Sequence, residues 1–165
     1  MNAIQKILVP TDFSPHADEA FRVANTLAKA TGAEVIVFHV ANPPVEATEG
    51  GPLLEESRGK GTANVWDLFR KLQATEPGVR VEHVTIVADR PSAAHVVEAL
   101  EKAGCDLIVM GTHGRSWLRH RLFGSVTEEV VRLAPCPVMV VKAPAHREAV
   151  RAPQTAPKAE SVHHG

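Results

Sequence analysis

DLIVMGTHGRSWLRHRLFGSVTEE, from Asp106 to Glu129, decides how this chain folds. Leu107, Ile108, Val109 and Met110 run together without alternation, as a strand buried on both faces requires. Gly111 follows at once and Gly114 comes next. Nine further residues lead to Gly124-Ser125 and a segment of helical spacing. Glycine lets a backbone approach an anion closely and tolerates positive φ, and a helix opening adds unpaired N–H donors and the positive end of a dipole. Arg115, Arg119, His120 and Arg121 lie between Gly114 and Gly124 with no acidic residue among them. Such a loop attracts an anion, and phosphate is the reading that uses all its parts. Each part also has an ordinary use. Gly111 and Gly114 suit turns, Ser125 with Glu128 suits a capping box, and the arginines suit a solvated face. Other phosphate fingerprints fit less well. The Lys-Ser/Thr that closes a P-loop is missing, and a dinucleotide fingerprint needs its third glycine sooner and belongs after the first strand.

The same alternation of strand and helix extends outward. Apolar runs at Ile4 to Val9, Glu34 to Val40, Val81 to Val87, Asp106 to Met110 and Pro137 to Val141 are rich in Val and Ile and too short for helices. Between them, Phe21, Ala24, Leu27 and Ala28 mark a helix that Ser14-Pro15 opens and Gly32 stops. Val65, Leu68, Phe69 and Leu72 mark a second. Ala93, Val96, Val97 and Leu100 mark a third, closed by Gly104. A fourth runs from Ser125 to Ala134 with Val126, Val130 and Leu133 as its inner stripe. Strands alternating with helices call for right-handed crossovers and a parallel sheet covered on both faces, a single doubly wound α/β domain. Asn42 to Asn64, with three prolines and four glycines, reads as a long variable loop. From Ala143 onward no apolar period survives, and residues 143–165 read as a disordered tail after a domain at 1–142.

Composition narrows the function. A chain of 165 residues with 44% hydrophobic and 22% charged residues suits one globular domain. A net charge of −1 argues against general nucleic-acid binding. The nine histidines are scattered without the spacing of a metal site, so no metal ligands are assigned. Cys105 and Cys136 beside predicted strands read as buried, reduced thiols. The opening MNAIQKILVPTDFS reads as neither signal peptide nor membrane span, which makes the cytoplasm the expected location.

A second candidate is Asp12, just after the first strand. In doubly wound sheets ligands sit outside the carboxyl ends of the strands where the strand order reverses, and the ends of strands one and four meet there. A carboxylate at that mouth accepts hydrogen bonds from a ribose hydroxyl or an adenine amine. Equally, Asp12 favours the positive end of the first helix beside Asp18 and Glu19.

Residues 1 to about 142 resemble the universal stress protein family. The resemblance is carried by ILVPTDFS, by VIVFHV, and above all by GTHGRSWLRHRLFGSVTEEVV followed by PCPVMVV. The pattern G-x-x-G, nine residues, G-S resembles that family's ATP-binding branch. The resemblance implies an open five-stranded sheet of order 3-2-1-4-5 and ATP held with Mg²⁺ on its phosphates. It implies that Pro10, Thr11 and Asp12 meet the adenosine, that Val40 offers backbone groups to the adenine, and that Met110 and Gly111 line the nucleotide. It implies further that Gly114, Gly124, Ser125 and Val126 hold the phosphates through backbone amides, with the Ser125 hydroxyl helping. His113, Arg115 and Thr127 stand among the binding positions. The last strand, apolar on both faces yet placed at an edge, needs a partner. The resemblance implies a homodimer pairing through Pro137 to Val141. Three functions follow: an ATP-holding stress regulator, a slow ATPase or phosphotransferase, and an interaction module without nucleotide. The intact glycine series counts against the third, and against strong catalysis stands that Asp12 and His113, the only nearby candidate bases, lack a clear orienting partner.

Overall fold

The computed structural model describes residues 3–42, 65–112 and 124–143. In chain order the elements are β1 (Lys6–Pro10), α1 (Pro15–Thr31), β2 (Glu34–Ala41), β3 (Val81–Val87), α2 (Ala93–Ala103), β4 (Leu107–Gly111), α3 (Ser125–Leu133) and β5 (Val138–Val141). A helical turn at 65–69 precedes β3. The strands form one sheet of order β3-β2-β1-β4-β5, and each neighbouring pair is parallel.

The unbroken apolar runs are explained by burial on both faces. Ile7, Val9, Val35, Val37, Leu107 and Val109 point to one side, where Phe21, Ala24 and Ala28 of α1 meet them with Phe69 and Leu72. Leu8, Ile36, Phe38, Ile108 and Met110 point to the other, against Val96 and Leu100 of α2 and Val130 of α3. Each fully buried Val, Leu, Ile or Phe contributes about 1.5–3 kcal/mol, so these two layers dominate the folding energy.

The helix ends follow their signals. Ser14 caps α1 through its Oγ, which accepts from Ala17 N–H, and Pro15 occupies the first turn. Gly32 at φ 75° and Gly104 at φ 64° close α1 and α2 in the left-handed conformation.

Several expectations shift, among them strand ends: β2 reaches Ala41, β4 reaches Gly111, and β5 begins at Val138 rather than Pro137. The first strand begins at Lys6 rather than Ile4, because the Asp106 carboxylate accepts the N–H groups of Gln5 and Lys6 at 2.8 and 2.9 Å where a ladder partner would otherwise stand. For the same reason Asp106 precedes β4 instead of opening it. The second helix stops short of Leu72. Lys71 and Leu72 donate to Leu68 and Phe69, so the turn tightens to an i, i−3 pattern. Leu133 is 50% exposed and does not belong to the inner stripe of α3, whose buried residues are Thr127 and Val130. With only nine residues, α3 turns too few times for a three-residue stripe to fix its inner face. The proposed loop at Asn42 to Asn64 and the tail after Ala143 lie almost wholly outside the described residues. Among the described residues no helix is long and apolar enough to cross a membrane.

Candidate functional site

The sheet order reverses between β1 and β4, which pair directly through Ile7–Leu107 and Leu8–Ile108. Their carboxyl ends therefore open side by side, the place where a doubly wound sheet holds its ligand. Pro10 ends β1, and Thr11 and Asp12 follow it. Gly111 ends β4 and Thr112 follows. Val40 stands near the end of β2.

The β1 side is a tight, internally bonded turn. Thr11 donates its N–H to Phe38 O at 2.8 Å, and its Oγ1 accepts from Phe13 N–H at 3.0 Å. Asp12 Oδ1 accepts from Ser14 N–H at 3.1 Å, which folds the carboxylate over the start of α1. Asp18, one turn further along, has its pKa raised by burial and by the nearby Asp12 charge, while Lys71 opposes the shift. Asp12 and Asp18 thus share the field of one helix opening.

The β4 side is tied to α3. Thr112 donates its N–H to Val141 O at 3.0 Å and accepts from Gly124 N–H at 2.8 Å through its carbonyl. The buried Thr127 hydroxyl reaches back to Gly111 O at 3.0 Å. The first turn of α3 is thereby fixed against the end of β4. Gly124 is its N-cap and supplies no side-chain acceptor. Among the described residues, nothing accepts from the N–H groups of Ser125, Val126 and Thr127. Three donors and the positive end of a helix dipole face the mouth.

Several expected site residues take different parts. Gly124 gives its amide to Thr112 O, so the amides left at the start of α3 are those of the next three residues. Ser125 is the first helical residue and not the cap, so the capping-box alternative fails. Val40 and Met110 are core side chains, 8% and 5% exposed, and only their backbones can face a ligand. A Cβ on Gly111 would stand 2.8 Å from the main-chain carbon of His16. Its missing side chain is what lets α1 pack on β4. His113, Gly114, Arg115, Arg119, His120 and Arg121 lie outside the described residues. Sequence reasoning passed over Thr112 and His16. A separate cleft of about 630 Å³ lies over β2 and β3 beside α2, lined by Ile36, Phe38, Val84, Ile86, His95 and Lys102, away from the β1 and β4 ends.

Residues 3–142 match the model of the universal stress protein family. The chain belongs to that family. A universal stress protein of Methanocaldococcus jannaschii is 38% identical over 151 residues, covering 87% of this chain and 85% of its own. Among solved structures, a universal stress protein from Lactobacillus plantarum is 28% identical with a TM-score of 0.71, over 86% of this chain and 99% of its own. Another universal stress protein, solved in complex with cAMP, is 26% identical with a TM-score of 0.64, over 87% of this chain and all of its own (100%). Sheet order and family agree, and the open end at β1 and β4 is the place in this fold where a ligand site is sought.

Proposed function

We propose that this universal stress protein holds ATP, with Mg²⁺ on its phosphates, at the carboxyl ends of β1 and β4, and acts in the cytoplasm as a stress-response regulator. The observation that carries the reading is the opening of α3. Its first-turn amides at 125–127 meet no acceptor among the described residues, and Thr112 and Thr127 fix them at the mouth of the sheet. A helix start of this kind suits phosphate oxygens. Across the mouth, the Asp12 carboxylate would accept from a ribose or adenine group. The backbones near Val40 and Met110 would border the base. His113, Gly114 and Arg115 complete the phosphate side by sequence alone. The relative solved with cAMP supports an adenine nucleotide as the ligand class. Mg²⁺ would arrive on the phosphates and neutralise charge there, and the protein's own part is to bind and orient the nucleotide.

Ser125→Pro tests the reading. Proline is favoured at the first helical position, and Gly124 at φ −67°, ψ 154° already has the extended geometry that a following proline requires. The substitution removes one amide and one hydroxyl donor while leaving the helix in place. Hydrogen bonds to charged groups contribute about 1.5–3 kcal/mol each, so Mg-ATP affinity measured by calorimetry should fall by about tenfold or more. Undiminished affinity with an unchanged melting temperature would remove the helix start from the site.

The family reading also implies a homodimer. Supporting it, β5 is an edge strand, and Met139 on it and Val131 and Leu133 on α3 are exposed apolar residues, 38%, 50% and 50%.

A further inference from the structure

Phe13 is the one non-glycine residue among the described residues with positive φ, at 59°. A residue with a Cβ enters this region at a steric cost and stays there only where its surroundings over-determine it. Those surroundings are specific. The Phe13 ring lies 4.6 Å from the imidazole of His39, tilted by 49°, and 5.5 Å from Phe69, edge-on at 66°. Its N–H is held by Thr11 Oγ1 at 3.0 Å.

His39 explains why the clamp is there. It sits on β2 directly after Phe38, whose carbonyl accepts the Thr11 N–H. Its Nδ1 lies 2.8 Å from the Thr11 carbonyl oxygen. A carbonyl only accepts, so Nδ1 carries the proton and donates it. Thr11 is therefore gripped at both ends of its backbone by β2, through the main chain of Phe38 and the side chain of His39. It is only 7% exposed, so a carbonyl deprived of His39 would be a buried acceptor left without that donor. The next peptide carries Asp12, with Oδ1 turned back to Ser14 N–H.

We propose that His39 and Phe13 are positioning residues of the nucleotide site. The imidazole, clamped beneath the Phe13 ring, fixes the Thr11–Asp12 peptide and so sets where the Asp12 carboxylate meets the nucleoside. This rests on the nucleotide reading above and deepens it. Their action on the ligand runs through Asp12.

The test is a double-mutant cycle on the full chain, with Mg-ATP affinity measured by calorimetry and folding checked by circular dichroism at the same temperature. His39→Leu keeps the bulk and removes the donor, and should weaken binding by about fivefold or more. His39→Asn carries an amide at the position of the imidazole Nδ1 and should recover most of that loss. In an Asp12→Ala background, His39→Leu should cost less than about twofold further, because the group it positions is gone. Phe13→Gly relieves the left-handed backbone yet removes the ring, and should still lose affinity. Equal loss from His39→Leu in both backgrounds would show general loosening and overturn the proposal, as would full affinity in His39→Leu. Full affinity in Phe13→Gly would overturn the part given to the ring. No binding by the wild-type protein would remove the nucleotide reading and this proposal together, a result distinct from a wild type that binds and a His39 variant that binds equally well.

Discussion

Gly111→Ala asks whether the glycine ending β4 serves the protein or only a ligand. A Cβ there would stand 2.8 Å from both the main-chain carbon and the Cβ of His16, and 2.9 Å from its carbonyl oxygen. Carbon atoms in contact sit about 3.5–4.0 Å apart, so α1 and β4 would have to separate by roughly an ångström. Two of these atoms are backbone of the first turn of α1 and the third is a Cβ fixed to it, so no flexible side-chain end can swing away. That helix is held by its Ser14 cap and by Phe21, Ala24 and Ala28 in the core, and it must move as a body. Overpacking costs about 1–3 kcal/mol, and a main-chain clash belongs in the upper half of that range. Replacing glycine within a strand returns about 0.5–1 kcal/mol of chain entropy. The net loss is then about 1–2.5 kcal/mol. At about 2–4 °C per kcal/mol the melting temperature should drop by roughly 2–10 °C. The assay is calorimetric or urea unfolding of ligand-free protein. A variant as stable as wild type, within about 0.5 kcal/mol, would refute the close approach of α1 and return Gly111 to a purely ligand-facing role.

Burial pushes the Cys105 thiol up from 9.0 to about 11. Between those values the folded chain keeps a proton that the unfolded chain releases, so the Cys105 contribution to stability should be constant below pH 9 and decline as pH rises toward 11. The urea midpoint followed over that range should fall less in Cys105→Ala, and an identical slope would refute the assignment. At the sheet edge, Met139→Asp places a charge on an exposed β5 side chain; if the proposed homodimer pairs through β5, light scattering should show a dimer for wild type and a monomer for the variant. An unchanged dimer would move the interface away from β5.

Much of the fold was legible because its signals are local. Continuous runs such as Leu107 to Met110 declare burial on both faces, and Ser14-Pro15, Gly32 and Gly104 mark helix ends by chemistry that acts within a turn. What escaped depends on partners distant in the chain. The start of β1 is set by the Asp106 side chain, which no periodicity around Ile4 can report. Leu133 fits the apolar pattern of α3 but has no layer above it. At the candidate site, strand ends and glycine spacing pointed to Asp12, Gly111 and the opening of α3, and the fold brings these to the carboxyl ends of β1 and β4. The sequence could not assign Gly111 to His16, a contact between elements far apart in the chain. Nor could it flag Phe13, since aromatic residues carry no signal for the left-handed region that the His39 contact holds.

Neither of the reasons a phosphate motif gives for glycine applies to the glycine at 124. Its φ of −67° is open to every residue, so backbone freedom does not require glycine there. Its amide is already given to Thr112 O, so direct donation to phosphate does not require it either. What the position lacks is a capping side chain. A serine, threonine or aspartate at an N-cap would itself accept from the amides of the second or third helical residue and stabilise the helix by about 1 kcal/mol. Glycine forgoes that gain and leaves the donors of 125–127 to an outside acceptor. The other helices with described caps, α1 and α2, use Ser14 and Ser92, whose oxygens accept from their own first turns. Of the two helices that open at the reversal of the strand order, α1 is capped by its own serine and α3 has no side-chain cap. A phosphate there would replace the missing cap, and the stability that the ligand-free helix gives up would return as binding energy.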